Sequence, residues 1–157
     1  MTTKSVRSFF LAVLFVLALP CSAQAAKGSG YDPLANPSTA LERAFVDAKA
    51  KNKKVLVIAG GDWCRWCLIL NSFLDQSPEV KAELDASFVT VKVYIGADNA
   101  NAQFFSTLPR AKGYPHFWVL SKDGRTIHSV STGRLENGRD SYDKSAFLRF
   151  IRDVGKD

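Results

Sequence analysis

An α/β fold, with a mixed central sheet flanked by helices on both faces, is what this sequence predicts. Three observations lead there. Val55–Ala59 is an unbroken, β-branched apolar run closed by Gly60-Gly61. Helical periodicity precedes and follows it, and two late strand-like segments are joined by a glycine turn. A short continuous apolar run reads as a strand buried on both faces, which requires helices above and below the sheet.

The elements follow in order. Thr39 with Glu42 three residues on is a capping-box pattern. It opens an amphipathic helix over 39–51, with Leu41, Ala44, Phe45 and Ala48 on one face. Lys51, Lys53 and Lys54 gather at its C-terminal end, where positive charge suits the helix dipole. After the strand Val55–Ala59, Leu68-Ile69-Leu70 and Phe73 carry a second helix to about Leu74. Pro78 starts a third at its permitted first-turn position. Phe88–Ile95 alternates apolar and polar with strong β formers, giving a second strand, and 99–108 reads as a weaker helix stopped before Pro109. Gly113-Tyr114-Pro115 opens the strand His116–Leu120, which Lys122-Asp123-Gly124 turns back into Thr126–Val130. Residues 133–142 form a polar loop, and a last helix from about Asp143 shows Phe147, Leu148, Phe150 and Ile151 on its apolar face.

The first residues read differently. Lys4 and Arg7 precede an apolar run from Phe9 to Leu19, then Pro20 and small residues ending Ala23-Gln24-Ala25. A charged start, a short apolar centre and an A-x-A site predict a signal peptide over 1–25. The run is too short to cross ~30 Å of hydrocarbon, which takes roughly 20 residues. Pro20 before Cys21 does not suit lipid attachment, which wants a small residue there. The expected organisation is signal peptide 1–25, a Gly-, Ser-, Asn- and Pro-containing linker 26–38, and one domain 39–157. Residues 1–25 hold two basic residues and no acid, so the mature chain keeps 19 basic against 15 acidic residues, a net charge of +4 over 132 residues. These charges are scattered, which points away from nucleic acid.

Chemistry concentrates in Asp62-Trp63-Cys64-Arg65-Trp66-Cys67. An exported domain stapled by disulfides would show several widely spaced cysteines, whereas this mature chain keeps two, two residues apart. The pair falls between a buried strand and a helix start, where free backbone N–H groups and the dipole favour an anion. A thiolate is that anion and is the reactive form of cysteine. Cys64 is therefore expected as an exposed nucleophile of depressed pKa, with Cys67 shielded almost one turn further in, as thiol–disulfide exchange requires. Arg65 adds positive charge between them, and Trp63 and Trp66 offer flat apolar surface to a peptide substrate. A structural zinc site needs four ligands, and only His116 and His128 remain to join the pair. Haem attachment needs His where Leu68 stands. A static disulfide closing so small a loop would constrain little of the unfolded chain.

Together, Val55–Ala59, Trp63-Cys64-Arg65-Trp66-Cys67 and Gly113-Tyr114-Pro115 resemble the thioredoxin superfamily over roughly residues 39–154. The resemblance implies a thioredoxin fold in which Pro115 is cis and lies beside the cysteines. It also implies that the Tyr114 backbone pairs with an extended substrate segment, that Cys64 attacks and that Cys67 resolves. Two features depart from the family. Many members carry a buried acid six residues before the first cysteine, where this chain has Ile58, and Arg65-Trp66 matches none of the best-known intervening pairs. The motif looks more like those of small exported thioredoxin-like proteins with Trp-Cys-x-x-Cys. Family geometry sets His116 near the edge of the site, either as a cation favouring the Cys64 thiolate or as an ordinary strand histidine.

The expected activity is thiol–disulfide exchange with protein substrates in an oxidising compartment such as a periplasm. Cys64 and Cys67 are catalytic, and Trp63, Arg65, Trp66, Tyr114 and Pro115 bind substrate. The redox-active disulfide itself replaces any cofactor. Expected partners are protein thiols and disulfides and a membrane-embedded electron donor or acceptor, with no stable insertion of the chain itself after signal cleavage. The alternative is a thioredoxin-fold binding module or chaperone-like adaptor whose binding face is built from Trp63, Trp66, Tyr114, Phe117 and Trp118.

Overall fold

A computed structural model describes residues 29–155. The signal peptide, Cys21 and the first residues of the expected linker lie outside the described residues. Helix α1 is Pro37–Lys51, strand β1 Lys54–Gly60, helices α2 and α3 Arg65–Gln76 and Pro78–Ser87, and strand β2 Phe88–Tyr94. A single turn α4, Ala102–Phe105, precedes β3, His116–Leu120, and β4, Thr126–Ser131. A short 3-10 turn at Thr132–Leu135 leads to α5, Lys144–Gly155. No helix of the described residues is long and apolar enough to cross a membrane.

The sheet order is β2-β1-β3-β4. β1 runs parallel to β2 and antiparallel to β3, and β4 returns antiparallel on β3. The sheet is therefore mixed, with β1 in its interior. Side chains alternate across each strand, so each sheet face receives its own core. On one face Leu56, Ile58, Phe117 and Val119 meet Leu70 and Phe73 of α2, Val80 of α3 and Phe147 of α5. On the other, Val55, Val57, Trp118 and Leu120 meet Ala44 and Ala48 of α1 and Phe104 of α4. Every residue of β1 after Lys54 is buried, as the continuous apolar run requires.

Three local expectations are corrected. Helix α1 begins at Pro37, and its cap is Asn36, whose Oδ1 accepts from the backbone N–H groups of Ser38 and Thr39 at 3.0 and 3.1 Å. Asn followed by Pro at the first helical position outcompetes the Thr39–Glu42 capping box. The helix expected over 99–108 shrinks to one turn, because asparagine side chains compete for the backbone. Asn99 Oδ1 accepts from Asn101 N at 2.9 Å, Asn101 Nδ2 donates to Tyr94 O at 2.8 Å, and Asn101 itself sits at φ +45°. Finally, the segment expected as linker is anchored to the domain at Ser29 and Tyr31. Tyr31 is buried, and Ser29 O accepts from Asn71 Nδ2 at 2.9 Å and from Lys92 Nζ at 2.6 Å.

Candidate active site

Cys64 and Cys67 are joined by a disulfide, with Cα atoms 5.2 Å apart. Cys64 is the N-cap of α2 in extended conformation, and its Sγ accepts from the Cys67 N–H at 3.2 Å. The sequence places a sulfur here because β1 ends at Gly60-Gly61 and α2 starts within four residues, so the first orphan N–H groups point back at the connecting loop. A backbone donor and the positive end of α2 both act on this atom and favour its anionic form.

Exposure corrects one expectation. Cys64, expected exposed, retains only 5% of its surface, and Cys67 none. In the disulfide state each sulfur covers the other, and Trp66 and Tyr114 pack against the core cluster containing both. Among these residues Trp63 presents apolar surface to solvent, at 56% exposed, joined by Leu68 at 45%.

The two tryptophans are used differently. Trp63 donates from Nε1 to Ile95 O at 2.6 Å and meets the Tyr114 ring edge-on at 5.8 Å. Its indole lies so close over Gly61 that a Cβ there would come within 2.5 Å of Nε1. Trp66 is half-buried and stands edge-on to Tyr142 at 5.6 Å. Arg65 is exposed at the first position of α2.

The Tyr114–Pro115 peptide bond is cis. Ala59 pairs with His116, so the next register step sets Pro115 against Gly60, the residue whose missing side chain leaves room for Cys67. Thr132 donates from Oγ1 to Pro115 O at 3.0 Å. The Tyr142 hydroxyl reaches toward Trp66 O at 3.4 Å, and burial pushes its pKa up to about 12 against an opposing hydrogen bond with Thr132.

His116 is not positioned as a cation for Cys64. It is 1% exposed, its Nε2 lies 2.9 Å from Ser129 Oγ, and its ring stacks near Trp118 on the sheet face opposite Phe117. Burial, reinforced by Lys112, lowers its pKa and keeps the imidazole neutral. Phe117 and Trp118, expected in the alternative binding face, are 0% and 1% exposed because both sheet faces are covered. Tyr31 carries no site signal in the sequence beyond being the one aromatic in a glycine- and proline-containing stretch. Tyr142 was hidden likewise in the loop read as polar.

A mixed sheet that sets a disulfide at a helix start against a cis-prolyl strand defines a protein of the thioredoxin-like class. The chain belongs to the thioredoxin-like family, whose model matches residues 36–122. It is similar in structure to a disulphide isomerase from Xylella fastidiosa Temecula1, with TM-score 0.71 and 23% identity, covering 83% of this chain and 100% of that one. It is also similar to the oxidised C-terminal domain of DsbD from Neisseria meningitidis, with TM-score 0.58 and 16% identity, covering 76% of this chain and 97% of that one. No curated protein sequence matches it.

Proposed function

We propose that the protein is an exported thiol–disulfide oxidoreductase, working on protein substrates through Cys64 and Cys67 after removal of residues 1–25. The observation that carries this reading is the disulfide at the start of α2, with the Cys67 N–H aimed at Cys64 Sγ. The similar solved structures, one described as a disulphide isomerase, agree with it.

In the reducing direction the Cys64 thiolate attacks a substrate disulfide. One substrate sulfur leaves and takes a proton, and the other stays bonded to Cys64. Cys67 then attacks Cys64 Sγ, closing the intramolecular bond and releasing the second substrate thiol. Two electrons pass from the dithiol to the substrate, and oxidation runs the same steps backwards. Trp63 and Tyr114 supply apolar contact beside the sulfurs, while the backbone at Tyr114 and Pro115 offers strand pairing to an extended peptide. Arg65 contributes positive charge, and Trp66 acts chiefly by bracing α2 against Tyr142. Continued turnover calls for a membrane-embedded electron donor or acceptor.

Two variants test the proposal. Cys64→Ser abolishes exchange with a model disulfide, whereas Cys67→Ser accumulates mixed disulfides visible on non-reducing gels. Failure of Cys67→Ser to trap any partner, together with an inert wild type, sinks the enzyme reading. In that case peptide capture that survives Cys64→Ala/Cys67→Ala supports the binding module, whose accessible face is the exposed Trp63 with the partly exposed Trp66 and Tyr114.

A further inference from the structure

Reduction creates a problem at Cys67. Its sulfur is wholly buried, and the resolving step requires it as a thiolate, which apolar surroundings disfavour. The strand beside it offers no polar side chain, since the position facing this core is Ile58. A donor must come from elsewhere in the fold.

Gly60 marks where it is. A Cβ at Gly60 would lie 2.5 Å from Cys67 Sγ and 2.8 Å from the hydroxyl oxygen of Tyr31. The sulfur and the hydroxyl thus share one notch, and their separation cannot exceed the sum of those two distances. Tyr31 is 6% exposed, and its hydroxyl has no hydrogen-bond partner among the described residues. Burying a hydroxyl unpaired is costly, so an unsatisfied donor beside a sulfur that becomes charged calls for an explanation.

We propose that the Tyr31 hydroxyl is the hydrogen-bond donor that stabilises the Cys67 thiolate once the disulfide is open. This rests on the reading of Cys67 as the resolving thiol. In the disulfide the Cys67 sulfur is a poor acceptor and the donor waits unpaired. In the dithiol, rotation about the Cys67 side chain brings an anionic acceptor to it. The hydroxyl keeps its own proton, so Tyr31 is a hydrogen-bond donor and not a base. The Cys67 proton ends on the departing substrate sulfur, and the pair of electrons left on Cys67 forms the new bond to Cys64.

The surroundings suit that role. Burial above all, then Tyr142 and Asp62, push the Tyr31 phenol well above its usual pKa. Lys92, on β2, holds its ammonium 5.3 Å from the ring centroid. The segment bearing Tyr31 is latched from three sides. Ser29 donates from its hydroxyl to Asp62, Asn71 and Lys92 hold Ser29 O, and Gly30 turns the chain at φ +81°.

Tyr31→Phe in a Cys64→Ser background, titrated by ultraviolet thiolate absorbance, reads Cys67 directly, whether or not the protein exchanges disulfides. The thiolate titration moves upward by about one pH unit, the weight of a lost hydrogen bond to a charged group. In the otherwise wild-type chain, Tyr31→Phe slows resolution of a Cys64 mixed disulfide several-fold, while the oxidised form melts no lower than wild type. A Cys67 titration indifferent to Tyr31→Phe overturns the proposal, as does a melting loss in the oxidised form without a titration shift. An inert wild type with a shifted titration overturns instead the enzyme reading and leaves Tyr31 in place.

Discussion

Cys64 and Cys67 have Cα atoms 5.2 Å apart and occupy opposite chemical settings. Cys64, although only 5% exposed, caps α2 with its sulfur and stands in the chain between the half-exposed Trp63 and the exposed Arg65. Cys67 looks inward, onto a glycine notch, a tyrosine hydroxyl and the aliphatic Ile58. The outer half is built from groups that tolerate change, because solvent fills what a truncation leaves. The inner half is built from close approaches, where one added or missing atom is felt. One loop and one turn of helix thus hold an adaptable surface and a rigid seat.

The largest expected effect lies on the inner side. Gly60→Ala drives a methyl group into the disulfide and the Tyr31 ring, costing about 3 kcal/mol in denaturant midpoint analysis. A loss below ~1 kcal/mol would show the seat to be looser than described. Next comes the contrast between the tryptophans. Trp66→Ala costs about 2 kcal/mol of stability through lost contact with Tyr142 and the core. Trp63→Ala costs less than about 1 kcal/mol yet slows exchange with a peptide disulfide several-fold. Equal stability losses would erase the distinction.

The opposite sheet face supplies a third test. His116 has a folded pKa below its ordinary 6.5, so the unfolded chain binds its proton first. Stability contributed by the neutral form is complete above pH 6.5 and falls as pH drops from there through the lower folded value. The slope is at most about 1.4 kcal/mol per pH unit, and urea midpoints of His116→Gln, compared with wild type across that window, should lack it. Smallest is Arg65→Ala, which raises the Cys64 thiol pKa by only a few tenths of a unit, since solvent and salt screen an exposed guanidinium. A shift above one unit would make Arg65 a principal determinant of the outer half.

The sheet and the cysteines were legible because each announces itself within a few residues. Val55–Ala59 needs no partner to be recognised as a buried strand, and Cys64–Cys67 carries its meaning in its spacing. The inner half was not legible, because Tyr31, 36 residues away in the chain, meets Cys67 only at the Gly60 notch, and Gly60 matters only for the space it leaves. Phe117 and Trp118 misled for a related reason. Their apolar character suits a binding face as well as a core, and only the covering of both sheet faces decides between the two. The cap of α1 slipped by three residues because Thr39–Glu42 and Asn36-Pro37 both spell a helix start, and the stronger signal lies upstream.

Under the proposed function, the atom that caps α2 is also the atom that attacks. Whenever Cys64 Sγ changes from disulfide to anion to mixed disulfide, the acceptor facing the amide of Cys67 changes in charge and strength. That single proton is therefore a built-in gauge of the catalytic cycle, and its nuclear resonance should track each covalent state without any attached label.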